Sequence, residues 1–210
     1  MRALFGGTFD PIHHGHLQLG QALAQLVGLQ RITLLPNRQP HYRTPPLATI
    51  EQRLTMIQLA IQEEPLFTID DRELRRPTPS YTLDSLQAIR DELGVQQPLA
   101  FILGQDAFLT LPHWHQWQQL LHYSHLLVGS RPGYSSDHWP PPLQSYWAAR
   151  QVMEPQRLHQ APQGYLYFAS LPPSPISATL IRQRLQRNES CCQLLPASVQ
   201  AYIQQQGLYR

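Results

Sequence analysis

GGTFDPIHHGH, residues 6–16, is the stretch that decides the fold of this 210-residue chain. Before it, Arg2 to Phe5 form a short apolar strand candidate that runs into Gly6 and Gly7. After it, Leu19, Leu23 and Leu26 recur at helical spacing. A strand that turns through glycine into an amphipathic helix is the opening unit of a doubly wound sheet, where ligands bind beyond the carboxyl ends of the strands. Gly6 and Gly7 allow a phosphate to approach the backbone closely, and the helix beyond offers unpaired N–H groups to an anion. The spacing differs from GxGxxG, so this is not the dinucleotide fingerprint. His13 and His16 are three apart and share a face of the first helical turn, where both rings can donate to one phosphate group. Asp10, placed before Pro11, organises the turn. His13, His14 and His16 cluster without the carboxylate of an HExxH motif, and no metal site is predicted.

Outward from this stretch, apolar strands alternate with helices. RITLLP at 31–36 is a buried-strand run, followed by a proline-rich loop to Ala48. Thr49 to Gln52 has capping-box spacing and starts a helix to about Glu64. Leu66–Asp70 is a further short strand. Ser80 is expected to cap a helix with Leu83, Leu86 and Ile89 on its apolar face. LAFIL at 99–103 is the clearest interior strand and ends at Gly104. His113 to Tyr123 reads as a short aromatic helix, Leu126–Val128 and Leu166–Ala169 as strands, and residues 131–142 as a proline-rich turn. Helices start at Ser177 and Pro196. The prediction is an α/β fold, a doubly wound (Rossmann-like) parallel sheet. Residues 1–210 form a single domain, with 177–210 as a helical C-terminal subregion.

All 16 basic residues are arginine; there is no lysine. That excludes a Walker-A P-loop, a protein kinase, and Schiff-base or pyridoxal-phosphate chemistry. Phosphate handling must rest on arginine, histidine, backbone amides and metal ions. The net charge of +2 gives no argument for a nucleic-acid or membrane partner, and neither is expected. Cys191 and Cys192 are adjacent and form neither a disulfide framework nor a CxxC knuckle. With no signal-peptide pattern and no run of transmembrane length, a cytoplasmic location is expected. Oligomeric state, monomer or homodimer, stays open.

PISATLIR, residues 175–182, carries the second constellation. Ser177 is the N-cap, Thr179 lies in the first turn, and Arg182 falls on nearly the same face. Cap, hydroxyl and guanidinium can converge on one anion. GGTFDPIHHGH resembles the HxGH signature of the nucleotidyltransferase superfamily, which includes mononucleotide and phosphopantetheine adenylyltransferases. PISATLIR resembles that superfamily's ISxTxIR motif. Together with segments along nearly the whole chain, the nearest resemblance is to bacterial nicotinate mononucleotide adenylyltransferases.

That resemblance implies adenylyl transfer from ATP to nicotinate mononucleotide, giving deamido-NAD and pyrophosphate, by direct attack without a covalent intermediate. It implies His13, His16 and Arg182 as catalytic residues. Gly6, Gly7, Thr8 and Phe9 would bind ATP, with Ser177 and Thr179 on its β- and γ-phosphates. Gly104 and Asp106, following the central strand, would take the adenosine ribose. Arg43 in LPNRQPHYR, Tyr81 and Thr82 in PSYTLDSL, Trp114 in LPHWHQW and Arg131 in SRPGY would bind the mononucleotide. Tyr81 and Thr82 at a helix start can present a hydroxyl and N–H groups to a carboxylate, and Trp114 a face to a pyridine ring. Mg²⁺ would arrive with ATP, held mostly by phosphates and water. The alternatives are an adenylyltransferase preferring nicotinamide mononucleotide or phosphopantetheine, and a non-catalytic nucleotide- or metal-binding module.

Overall fold

The computed structural model describes residues 1–38, 45–77, 80–130, 139–172 and 174–210. Its centre is a seven-stranded sheet in the order β3-β2-β1-β4-β5-β7-β6, and every neighbouring pair is parallel. The strands are β1 (Arg2–Gly7), β2 (Arg31–Pro36), β3 (Phe67–Ile69), β4 (Leu99–Gly104), β5 (His125–Ser130), β6 (Gln151–Val152) and β7 (Leu166–Ser170). The helices are α1 (His14–Val27), α2 (Ile50–Ala60), α3 (Arg72–Arg75), α4 (Thr82–Leu93), α5 (Gln105–Leu109), α6 (Pro141–Trp147), α7 (Ala178–Gln186) and α8 (Ala197–Gln206).

Side-chain alternation along the strands builds two cores, one on each face of the sheet. Ala3 and Phe5 of β1, Ala100 and Ile102 of β4 and Leu127 of β5 point to one side. There they meet Leu17 and Leu23 of α1, Met56 and Ile57 of α2, Ile181 of α7 and Val199 of α8. Leu4, Phe101, Leu103, Leu126 and Val128 point to the other side, against Leu83, Leu86 and Ile89 of α4. That second core is finished by Trp117, Trp139 and Trp147. The doubly wound sheet expected from the sequence is the one observed, and α7 and α8 join the first core.

Several local expectations are corrected. The predicted helix over 113–123 is two 3₁₀ turns, Leu111–His113 and Trp117–His122, broken where Gln116 takes a left-handed φ of 47°. The break serves packing: Trp117 turns into the core while Trp114 stays at the cleft. Ser80 does not cap α4. Tyr81 occupies the N-cap position without a side-chain cap, and the Ser80 hydroxyl accepts from Arg38 N–H at 3.1 Å. Helix α1 begins at His14, with His13 as its N-cap, and α2 ends at Ala60. The α2 capping box stands as predicted, with Thr49 Oγ1 accepting from Gln52 N–H at 3.2 Å and Gln52 Oε1 accepting from Thr49 N–H at 2.9 Å.

Candidate active site

Strand order reverses between β1 and β4, which pair with each other while their following helices lie on opposite faces. At such a point the carboxyl ends of the strands open a crevice. Here it is a cleft of about 1500 Å³. Its floor is the β1–α1 turn, one wall is the start of α7, and the other is the start of α4 with residues 104–115.

The floor is built by close approaches that exclude side chains. A Cβ on Gly6 would meet the Phe101 ring at 2.5 Å, and one on Gly7 would meet the Phe9 ring at 2.8 Å. The glycines are therefore demanded first by aromatic packing, and both line the cleft. Gly15 has the same logic, because its Cβ would lie 3.1 Å from the His13 ring and 3.3 Å from Ile176. Phe9 holds a left-handed φ of 49° and buries its ring, so the donor expected from this residue is its backbone.

His13 and His16 stack with ring centroids 3.7 Å apart and planes 24° from parallel. His16 also packs edge-on against Phe9 at 5.0 Å. The His13 backbone N–H donates to His16 Nδ1 at 3.3 Å. Nδ1 is then an acceptor, so the neutral ring carries its proton on Nε2. Burial, together with the His14 charge, lowers the pKa of His13 to about 4, and burial beside His13 lowers His16 well below the ordinary range. Two neutral imidazoles are thus available as hydrogen-bond donors at neutral pH.

On the facing wall, Ser177 Oγ accepts from Leu180 N–H at 3.2 Å, as predicted for an N-cap. Arg182 reaches from the next turn to the cleft floor. Its Nη1 donates to the Asp10 carbonyl at 2.7 Å and its Nη2 to Thr179 Oγ1 at 3.4 Å. Asp10 does organise the turn: Oδ2 accepts from Leu47 N–H at 2.9 Å and Oδ1 from Ala48 N–H at 3.1 Å.

Every predicted site residue within the described residues lines this one cleft. Gly6, Gly7, Thr8, Phe9, His13 and His16 lie on the floor, Ser177, Thr179 and Arg182 on the α7 wall. Tyr81, Thr82, Gly104, Asp106 and Trp114 lie opposite. Tyr81 stacks on His115 at 4.2 Å, and Trp114 Nε1 donates to Thr110 Oγ1 at 3.3 Å. Arg43 and Arg131 lie outside the described residues.

Three residues at or behind the cleft were missed from the sequence. Asn37, at the end of β2, donates from its backbone to Gly7 O at 3.0 Å and from Nδ2 to Thr8 Oγ1 at 3.4 Å. Arg53 is 1% exposed behind the floor. Its Nη1 donates to Thr8 O at 2.6 Å and Asn37 O at 2.8 Å, and its Nη2 to Arg38 O at 3.0 Å. The signal was present: Arg53 sits on the core face of α2 with Met56, Ile57 and Ala60, where an arginine needs buried partners. Glu73 of α3 lines the α4 side of the cleft and is also buried. Its Oε1 accepts from Ser85 Oγ at 2.7 Å, and the Ser85 hydroxyl in turn accepts from Arg76 Nη1 at 3.0 Å.

Burial outweighs those donors and pushes the Glu73 carboxyl up to about 7. The folded state therefore holds this proton more tightly than the unfolded chain. Its stabilising effect is full below pH 4.5, the ordinary value, and is lost as pH rises towards 7. Glu73→Gln keeps an acceptor for Ser85 but cannot ionise. Denaturant melts should show it more stable than the parent at pH 8, by at most about 3 kcal/mol. Near pH 4 the two should coincide; an advantage independent of pH would contradict a buried, titrating carboxyl.

Residues 4–184 match the cytidylyltransferase-like family, and the chain belongs to that family of nucleotidyltransferases. It is 55% identical over 208 residues to a protein of Yersinia pestis (strain Pestoides F) named probable nicotinate-nucleotide adenylyltransferase, covering 99% of this chain and 94% of that one. A Serratia proteamaculans protein of the same name is 55% identical over 210 residues, 100% of this chain and 96% of the relative. The fold is that of a solved Plasmodium falciparum nicotinic acid mononucleotide adenylyltransferase complexed with NaAD. The TM-score is 0.73 at 17% identity, over 99% of this chain and 96% of that one.

Proposed function

We propose that the chain transfers the adenylyl group of ATP to nicotinate mononucleotide, forming deamido-NAD and releasing pyrophosphate. The observation that carries the chemistry is the convergence of the His13–His16 pair, the glycine-turn amides and Arg182 on one cleft at the switch point of the sheet. The full-length likeness to proteins named nicotinate-nucleotide adenylyltransferase supports the choice of acceptor.

The acceptor phosphate oxygen attacks the α-phosphorus of ATP in line with the departing pyrophosphate. One O–P bond forms as the bond to the β-phosphate oxygen breaks. A phosphate oxygen is already ionised near neutral pH, so no general base is required. The work of the protein is to hold anions together and to stabilise charge where it develops. His13 and His16 donate Nε2–H to the α-phosphate region. Their neutrality suits this role, because neither ring has to surrender a proton during the step. Arg182, Ser177 and Thr179 take the leaving pyrophosphate, and the amides of Gly7, Thr8 and Phe9 complete the anion site. Asp106 after Gly104 accepts from the ribose hydroxyls.

At the other end, Tyr81 and Thr82 open α4, whose N-terminal N–H groups favour the pyridine carboxylate, and Trp114 offers its ring face. Among the described residues no group of three His, Cys, Asp or Glu is gathered for a metal. Mg²⁺ would arrive with the substrate ATP, ligated by phosphate oxygens and water, as its hydration favours. Among the described residues no helix is long and apolar enough to cross a membrane.

The test is a side-by-side measurement of pyrophosphate release with nicotinate and nicotinamide mononucleotides. The acid should be favoured by tenfold or more, about 1.4 kcal/mol, since a site built around a carboxylate leaves its donors poorly matched by an amide. Equal rates would remove the assignment of acceptor and leave the nucleotidyl transfer standing. No turnover with either mononucleotide would remove the acceptor class altogether.

A further inference from the structure

Tyr209 lies beyond α8, 199 positions from Asp10 in sequence, yet its hydroxyl donates to Asp10 Oδ1 at 2.6 Å. The tyrosine is buried at 7% exposure and Asp10 at 5%. With Leu47 N–H on Oδ2 and Ala48 N–H on Oδ1, the Tyr209 hydroxyl completes the set of donors to the Asp10 carboxylate. Beside this carboxylate stands the Arg182 guanidinium. Its Nη1 is 2.7 Å from the Asp10 carbonyl but 3.9 Å from Oδ2. Arg182 is therefore hydrogen-bonded to the main chain, with the carboxylate at the outer edge of ion-pair range.

We propose that Tyr209 is a positioning residue for Arg182, satisfying the Asp10 carboxylate so that the guanidinium stays at the Asp10 carbonyl and faces the phosphate site. A buried carboxylate that loses a donor must find another. Arg53 also lies near, but its Nη1 and Nη2 are pinned by the carbonyls of Thr8, Asn37 and Arg38 and the residue is 1% exposed, which leaves Arg182 as the cation with room to move. The Arg182 side chain is 26% exposed and needs to move little more than 1 Å to close on Oδ2. That movement draws its charge out of the cleft and turns a long ion pair into a hydrogen-bonded one. This inference rests on the phosphate-binding role given to Arg182 above, and its first readout is kept independent of the acceptor.

The experiment is Tyr209→Phe, which keeps the buried ring and deletes the donor. ATP binding, followed by titration calorimetry without mononucleotide, should weaken by about tenfold, within the range of couplings between residues of one hydrogen-bond network. In turnover, KM for ATP should rise while KM for the mononucleotide stays within about twofold. A purely structural role would instead lower the active fraction, reducing kcat and leaving both KM values unchanged. para-Aminophenylalanine at 209 restores an N–H donor and should restore ATP affinity. In an Arg182→Gln background, Tyr209→Phe should cost nothing further.

Unchanged ATP affinity in Tyr209→Phe, or equal losses with and without Arg182, would overturn the proposal. Irreversibly inactive protein lowers the calorimetric stoichiometry without changing the affinity, and a thermal melt showing the variant fully folded at the working temperature removes any contribution from reversible unfolding. Absence of turnover in the parent would count against the acceptor assignment and leave the calorimetric test of Tyr209 intact.

Discussion

His16→Ala should lower the rate of pyrophosphate release by about 100-fold or more, the scale seen when one donor to a developing oxyanion is removed. The expectation follows from how tightly this ring is specified. Its Nδ1 is occupied by the His13 N–H, its face by the His13 ring, and its edge by Phe9. Nε2–H is thereby presented to the cleft at almost no cost in ordering when substrate arrives. Part of the loss should fall on stability, since the missing ring leaves space against Phe5 and Phe9. Single-turnover rates at saturating substrate, with a thermal melt of the same sample, separate the two. A loss of less than about tenfold, roughly 1.4 kcal/mol, would be incompatible with His16 contacting the reacting phosphate.

The second large effect is expected at a residue that touches no substrate. Arg53→Ala should destabilise the fold by about 3–5 kcal/mol, the scale for removing one partner from a buried charged network. Three carbonyls, those of Thr8, Asn37 and Arg38, lose their donors at once. Arg53→Lys should recover little of this, because an ammonium cannot reproduce the forked geometry that spans the ends of β1 and β2. Chemical denaturation measures both. A lysine variant as stable as the parent would show that charge, rather than the fork, is what the site requires. Since Thr8 and Asn37 line the cleft, any folded Arg53 variant should also bind ATP less well.

The sheet and the geometry of both candidate phosphate-binding constellations were legible because each rests on local chemistry. Two glycines followed by an amphipathic helix, or Ser177 placed two before Thr179, declare their geometry within a few residues. The contacts that hold those constellations in register were not legible, because their partners are remote. Nothing near Asp10 announces Tyr209, and nothing near Ser85 announces Glu73 across the α3–α4 connection. The misread aromatic segment shows the same limit. HWHQWQQL has the composition of a helix, but Trp117 is pulled into the core against Trp147 while Trp114 stays at the cleft, and one helix cannot serve both. Arg53 is the intermediate case: a charged residue on an apolar helix face is a visible anomaly, although its three carbonyl partners are not.

The link between Asp10 and Tyr209 has a consequence for the order in which the protein is made. Synthesis delivers β1, its glycine turn and both histidines first, and the strands through β7 can pair before α7 and α8 exist. The floor of the cleft is nevertheless unfinished at that stage. His14 N–H still lacks the carbonyl of Leu194, Asp10 still lacks a hydroxyl, and its carbonyl lacks a guanidinium. A nascent chain carrying the whole sheet therefore holds its histidines without the α7 wall that faces them across the cleft. The floor of the cleft closes only once the segment from α7 to Tyr209 has been made and has docked, which ties the finished geometry of the site to contacts spanning 199 positions of sequence.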